Sequence, residues 1–248
     1  MEHQDLLLAH MDDLAKKGAK AGFAASRFLT PAQAVLVEQK FKRNGASDLS
    51  FDGGFDNAEY TRAIFTNPDW GMYERDELFA ALKFSYRPQD KLSHRDILGA
   101  LMALGIKRDT LGDIICGDDA AYLVCLPELA AYIAESLVKA GRAGVSASTI
   151  TLAELPSREE NLKLKTDTVA SLRLDVILCA AYNLSRTKAS ALIAANRVSV
   201  NHQPCLHASK ELTEGALISV RGMGRAKLVE VGGTSKKRRI FIQIGIYV

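Results

Sequence analysis

Residues 174–200, with the sequence LDVILCAAYNLSRTKASALIAANRVSV, decide the fold of the C-terminal third of this chain. Apolar residues recur there at the spacing of one helical face, first at Leu174, Ile177, Leu178 and Ala181 and again at Ala189, Leu192 and Ile193. Ser185 is a suitable N-cap for the second helix, and Asn196 suits the left-handed position that commonly follows a helix. Val198 and Val200 then alternate with polar residues, as in a strand. The pattern predicts two short helices packed on a hairpin-rich sheet.

Basic residues of the same region stand outside the apolar faces, so they are available to meet phosphates. Arg186 and Lys188 occupy the first turn of the second predicted helix, where backbone amides also favour anions. We predict a core binding surface formed by Arg173, Ser185, Arg186, Lys188, Arg197 and Asn201. We expect it to be extended by Arg221, Arg225, Lys227, Lys236, Lys237, Arg238 and Arg239. The alternative for the last four of these residues is a solvated turn between two strands.

The charge distribution supports a polyanionic partner. Residues 163–248 contain 14 Lys and Arg against 5 Asp and Glu, whereas residues 1–162 contain 18 against 24. The overall charge of +3 therefore combines +9 in the C-terminal third with −6 in the remainder. A basic segment on an acidic body is typical of proteins that bind nucleic acid.

The C-terminal third resembles the S4 RNA-binding domain, which presents a helix pair to structured RNA. The matching positions are Arg173-Leu174-Asp175, Leu178, Ser185-Arg186-x-x-Ala189, Leu192-Ile193, Val198-x-Val200-Asn201 and Gly215-x-x-Ile218. The sequence departs from the usual pattern at Asn196, His202 and Ala216, where Gly, Gly and Asp are common. These departures affect turns more than the basic surface.

The middle third shows the order strand–helix–strand–strand–helix–strand. The predicted elements are a strand at Leu78–Tyr86, a helix capped by Ser93 and ended by Gly105, strands at Leu111–Cys116 and Ala120–Leu126, a helix from Pro127 through Lys139 closed by Gly141, and a strand at Val145–Leu152. This is the ferredoxin-like order of RNA-recognition domains, which stack bases on aromatic residues of the sheet. Tyr122 is the only aromatic residue in the strand Ala120–Leu126. The fold is therefore predicted without a clear nucleic-acid surface.

The remaining segment, residues 1–74, is predicted to be rich in α-helix. Residues 1–45 are expected to be helical, with a helix start at Thr30-Pro31. A short hairpin is expected around Asp52-Gly53-Gly54, followed by a loop at residues 67–71. The chain is therefore predicted to be an α+β protein of three modules: residues 1–74, the ferredoxin-like residues 75–156, and the S4 domain with a basic β extension at residues 163–248.

Over essentially its whole length the chain resembles the YlmH family of bacterial S4-domain proteins. The residues that carry this resemblance are 93–101, 105–108, 218–227 and 232–239. The resemblance implies binding to rRNA of the large ribosomal subunit when peptidyl-tRNA is stranded there, in ribosome-associated quality control. We expect tRNA to be a further contact.

Several classes of protein are disfavoured by the sequence. The apolar runs are too short for a secretory signal or a membrane span, so we expect a cytoplasmic protein. We also expect a monomer. Four widely spaced cysteines without a Cys-x-x-Cys pair favour reduced thiols over a zinc site or disulfides, and we expect no metal or cofactor. His94-Arg95-Asp96 resembles a kinase catalytic loop, but Leu101 stands where that loop needs Asn.

Two alternatives to a plain RNA-binding protein remain. The first is an adaptor, in which the acidic N-terminal body recruits a protein partner while the S4 domain anchors it to RNA. The second is an RNA-modifying enzyme. The elements expected of a pseudouridine synthase, a tyrosyl-tRNA synthetase or a methyltransferase are missing from the sequence, so we predict that the chain is not an enzyme.

Overall fold

The computed structural model describes residues 2–43, 48–67, 69, 73–156, 161–235 and 237–247. The chain divides into two compact units, Met1–Arg158 and Glu159–Val248. Both units contain helices and strands, which confirms the predicted mixture of α and β structure. None of the helices in the described ranges combines the length and the apolar character that crossing a membrane requires.

The first unit begins with two helices and a three-stranded antiparallel sheet of order β1-β3-β2. These elements are α1 (Glu2–Ala21), β1 (Phe23–Leu29), α2 (Pro31–Arg43), β2 (Leu49–Asp52) and β3 (Thr61–Thr66). The predicted start of α2 is confirmed, since Thr30 and Gln33 exchange hydrogen bonds across its first turn, with Gln33 N 3.3 Å from Thr30 Oγ1 and Thr30 N 2.8 Å from Gln33 Oε1. The predicted hairpin is also confirmed as β2 and β3.

The expectation of helix throughout residues 1–45 is wrong at β1. Gly22, with a φ of +92°, separates α1 from a strand that alternates between buried and more exposed positions. The strand pairs with β3, which lies more than thirty residues away, so its partner is invisible to local periodicity. The predicted loop at residues 67–71 lies mostly outside the described residues, apart from Asn67 and Asp69.

The rest of the first unit confirms the ferredoxin-like order. It contains α3 (Arg75–Leu78), β4 (Ala80–Ser85), α4 (His94–Ala103), β5 (Leu111–Cys116), β6 (Ala120–Cys125), α5 (Pro127–Ser136), β7 (Lys139–Ala140), β8 (Ala143–Gly144) and β9 (Ser146–Ile150), with short 3-10 turns at Pro88–Asp90, Arg108–Thr110 and Leu152–Glu154. The four long strands form an antiparallel sheet of order β5-β6-β4-β9. Residues of α4 and α5 share one core with one face of this sheet.

Three details of the middle segment differ from the prediction. The helix from Pro127 ends at Ser136, because residues 139–144 pair as the small β7–β8 hairpin and Gly141 lies in its turn. Leu78 belongs to α3, which the sequence did not reveal, so the following strand begins at Ala80. The cap at Ser93 is confirmed, since its side chain accepts a hydrogen bond from Asp96 N.

Residues 1–74 and 75–156, which were expected to be separate modules, share a hydrophobic core. Phe28 packs on Phe79 with ring centroids 5.9 Å apart. The buried Arg62 donates from Nη1 to the carbonyl of Leu78 at 2.5 Å and from Nε to the carbonyl of Ser26 at 2.6 Å. These contacts join the two sheets of the first unit, and a division of this unit into two domains remains a proposal.

The second unit is a six-stranded antiparallel sheet of order β10-β15-β14-β13-β11-β12 with two helices. Its elements are β10 (Leu162–Val169), α6 (Leu174–Tyr182), α7 (Arg186–Ala194), β11 (Val198–Val200), β12 (Gln203–Pro204), β13 (Leu217–Val220), β14 (Gly224–Thr234) and β15 (Ile240–Tyr247). All seven apolar residues that predicted the two helices are buried against one face of the sheet. The predicted helix pair on a hairpin-rich sheet is therefore confirmed.

Candidate nucleic-acid interface

The connection between α6 and α7 is fixed by a lysine that the sequence did not single out. Asn183 ends α6 in the left-handed conformation, with a φ of +52°. Lys165 of β10 donates from Nζ to the carbonyl of Ala180 and to Oδ1 of Asn183, both at 2.7 Å. A cation at the C-terminus of a helix is favourable, and this one holds the turn from which α7 starts.

The first turn of α7 presents two cations to solvent. Ser185 caps the helix as predicted, and its Oγ accepts a hydrogen bond from Lys188 N at 3.2 Å. The side chains of Arg186 and Lys188 are exposed, and neither forms a salt bridge within the described part of the chain. Because the helix N-terminus adds partial positive charge, this turn is well suited to bind phosphate.

Arg173, which the sequence suggested was available to phosphate, is held by a carboxylate. Its Nε and Nη2 atoms lie 3.0 and 3.2 Å from the two carboxylate oxygens of the buried Asp175. This two-point contact raises the pKa of the Arg173 guanidinium. The arginine therefore orients the start of α6 and neutralises Asp175. The ion pair compensates part of the arginine charge within the protein.

Two further members of the predicted core surface support turns. Arg197 donates from Nη2 to the carbonyl of Arg221 at 2.7 Å, which ties the strand after α7 to the turn after β13. Asn201 has a φ of +48°, and its Oδ1 accepts a hydrogen bond from Leu217 N at 2.8 Å. This bond joins the turn after β11 to the first residue of β13.

Three arginines from two parts of the sequence line one cleft of the second unit. Arg197, Arg221 and Arg225 surround a volume of about 520 Å³ together with His202 and residues of β11 and β13. Lys227 lies two residues beyond Arg225 in β14 and is half-buried opposite Leu217. The structure thus places Arg186 and Lys188 at the α7 turn, and Arg197, Arg221 and Arg225 at this cleft.

Three residues of the basic run, Lys237, Arg238 and Arg239, lie between β14 and β15. Lys237, Arg238 and Arg239 are exposed, and Arg238 has a φ of +58°. Arg239 reaches β10, where Nε donates to Thr168 Oγ1 at 3.0 Å and Nη2 donates to the carbonyl of the same residue. Lys236 was predicted as part of this run and lies outside the described residues.

The described residues contain no group of three or more His, Cys, Asp or Glu side chains arranged to hold a metal ion. All four cysteines are free thiols. Burial raises the pKa of Cys125 to about 12 and also raises the pKa values of Cys116 and Cys179. Such thiols are poor nucleophiles near neutral pH.

Comparison with known proteins gives two family models and two informative relatives. Residues 79–154 match the model described as "Putative RNA-binding domain in YlmH", and residues 172–218 match the S4 domain. A Bacillus subtilis protein named ribosome-associated protein quality control protein P2 is 35% identical over 215 residues, which cover 85% of this chain and 82% of that protein. The structure of cell division protein ylmH from Streptococcus pneumoniae superposes with a TM-score of 0.52 at 23% identity, over 61% of this chain and 93% of that one, and supports the fold.

Proposed function

Because the chain belongs to the YlmH family of S4-domain proteins, we propose that it docks through its S4 domain on rRNA of the large ribosomal subunit. We propose further that it recognises subunits obstructed by peptidyl-tRNA, with tRNA as a second contact, and that it acts as a binding factor without catalysing a reaction. The name of the Bacillus relative supports a role in ribosome-associated quality control.

The first turn of α7 is the observation that carries this proposal. It combines two exposed cations, a capped helix N-terminus and a rigid support from α6 and Lys165. Cations of this kind bind RNA through backbone phosphates, and their fixed positions select a folded RNA by its shape. We assign direct phosphate contacts to Arg186 and Lys188.

The other predicted residues take different roles in this proposal. Ser185, Arg173 and Asn201 position the surface through the internal hydrogen bonds described above. The exposed Lys237 and Arg238 add charge at the β14–β15 turn, together with Arg239. Arg197, Arg221, Arg225 and Lys227 lie around the cleft or beside it.

Co-sedimentation of the full chain with separated ribosomal subunits tests the proposal. We expect selective pelleting with large subunits that carry peptidyl-tRNA, and weakening as salt rises because counterions are released on binding. The variant R186Q/K188Q should stay in the supernatant. The variant K163Q/K210Q removes the same charge from exposed positions of the same unit and should pellet like the wild type.

Two results would contradict the proposal. Equal pelleting with small subunits or with any RNA would show that the S4 domain is a general anchor. Pelleting of R186Q/K188Q at the wild-type level would show that α7 is not the contact. In that case a protein partner bound by the acidic N-terminal body, as in an adaptor, becomes the better explanation.

A further inference from the structure

The arginine cleft of the second unit lies on the face of the sheet away from α6 and α7. Val198, Val200, Ile218 and Val220 point into the core that the two helices share. Side chains alternate along a strand, so the intervening Ser199 and Ser219 point to the opposite face. Ser199 is paired with Ser219, and Ser219 is paired with Arg225 of β14. This row of three residues forms the floor of the cleft.

The walls of the cleft are cationic. Arg197 and Arg221 stand at one end, where the hydrogen bond from Arg197 Nη2 to the carbonyl of Arg221 fixes the first guanidinium. That guanidinium is also packed close to Gly222, where an added Cβ would lie 3.1 Å from Nη2. His202 adds an imidazole, and none of the described residues that line the cleft is acidic. The cleft is therefore built to hold an anion.

One arginine also offers a flat stacking surface. The guanidinium carbon of Arg225 lies 4.8 Å from the centroid of the Tyr247 ring. The ring supports one side of the guanidinium and keeps its plane in place. Proteins that bind single-stranded RNA use aromatic rings and guanidinium planes to stack unpaired bases.

We propose that this cleft holds one unpaired nucleotide of the bound RNA. Arg197 and Arg221 would bind its phosphate, Arg225 would stack on its base, and the hydroxyls of Ser199 and Ser219 would meet its polar edges. The volume of about 520 Å³ falls in the range of sites that enclose small molecules. A paired nucleotide keeps its base inside the duplex, so only an unpaired one can enter.

This inference rests on the RNA binding proposed above, but it concerns the other face of the sheet and a different kind of recognition. The contacts of α7 are to phosphates, which paired and unpaired RNA both present. The cleft adds a preference for RNA with an unpaired nucleotide. The two surfaces can therefore be distinguished by the RNA that each variant fails to bind.

The test measures binding of the full chain to two labelled RNA hairpins by fluorescence anisotropy. One hairpin has a single bulged uridine in its stem, and the other is fully paired. We expect the wild type to prefer the bulged hairpin. The variant R221Q/R225Q should lose at least tenfold in affinity for it, about 1.4 kcal/mol, and less than twofold for the paired hairpin.

Three controls make the outcome decisive. R186Q/K188Q should weaken both hairpins equally, and K163Q/K210Q should weaken neither by more than twofold. The single variant R221Q keeps the carbonyl that Arg197 binds and the Arg225–Tyr247 contact, so it tests the cleft even if the double variant melts early. Thermal melting establishes that each variant is folded.

Equal losses of R221Q/R225Q on both hairpins, or no loss on either, would overturn the assignment of an unpaired nucleotide. A wild type that fails to pellet with large subunits in the co-sedimentation described above would instead contradict the proposed function itself. The failure of the inference is thus separable from the failure of the proposed function.

Discussion

Arginine and lysine side chains play opposite roles at two places in this protein. In the first unit, Arg62 is 9% exposed and bonds to two carbonyls, and Arg108 lies over the Tyr60 ring with its guanidinium carbon 3.8 Å from the centroid. In the second unit, Arg186 and Lys188 project into solvent from a helix N-terminus. The comparison teaches that the accessibility of cations, more than their number, identifies a surface for RNA.

The largest effect is expected from the buried arginine of the first unit. The change Arg62→Met leaves the carbonyls of Ser26 and Leu78 without their donor, and burial already lowers the pKa of this guanidinium to about 10. Each unsatisfied buried group costs about 1–3 kcal/mol, so we expect the free energy of unfolding, measured in urea, to fall by roughly 3 kcal/mol. If the folded Arg62→Met variant also lost RNA affinity, Arg62 would not have a purely structural role and the contrast with Arg186 and Lys188 would fail.

Substitution of the exposed cations should lower RNA affinity and leave the free energy of unfolding nearly unchanged. R186Q/K188Q should lower RNA affinity roughly 30-fold, about 2 kcal/mol, since each phosphate contact contributes several-fold at 0.1 M salt. The slope of log affinity against log salt should fall by about 2. The free energy of unfolding in urea should remain within about 0.5 kcal/mol of the wild-type value, as for ordinary surface substitutions. A large stability loss without a change in salt slope would contradict the assigned role.

Two serine caps provide a matched pair between the units. Ser185 caps α7 and Ser93 caps α4, each by accepting a backbone hydrogen bond in the first turn. Either Ser→Ala change should cost about 1 kcal/mol in unfolding free energy. We expect S185A alone to weaken RNA binding, by about threefold, because the first turn of α7 frays. Equal effects of S93A and S185A on binding would show that α7 has no special position.

The smallest expected effect is a pH dependence in the second unit. Burial raises the pKa of Tyr182 to about 12, and its hydroxyl donates to the carbonyl of Gly224 at 3.1 Å. An unfolded tyrosine titrates near pH 10, so the stabilising preference for the protonated form is complete below pH 10 and is lost as pH rises towards 12. Y182F should lose less stability than the wild type between pH 9 and pH 11 in urea unfolding. Equal losses of stability in Y182F and the wild type would show that Tyr182 does not cause the pH dependence.

The helix pair could be predicted from sequence because its signals are local. The helical apolar spacing, the Ser185 cap and the left-handed Asn196 all lie within a few residues of the elements that they define. The same holds for Ser93 and α4. By contrast, β10 has the mostly polar sequence LKLKTDTV, and its partner β15 lies more than seventy residues away.

The cleft could not be predicted for a related reason. Arg197, Arg221 and Arg225 meet only because β11, β13 and β14 pair in one particular register. The sequence predicted Arg173 as a cation available to phosphate, whereas the structure pairs it with Asp175. This pairing depends on the burial of the Asp175 carboxylate, which residue spacing alone does not reveal. Sequence identified the basic residues, and only the fold divided them into paired, positioning and exposed groups.

Site-specific photo-cross-linking on the ribosome tests the central claim most directly. A benzophenone amino acid replaces Thr187, which is exposed between Arg186 and Lys188, or the exposed Lys17 of α1 as a control. Bound to large subunits that carry peptidyl-tRNA, the protein labelled at 187 should cross-link to rRNA of the large subunit, and the protein labelled at 17 should not. Pelleting of both proteins with cross-links from 187 only to ribosomal proteins, or with none at all, would contradict docking through α7.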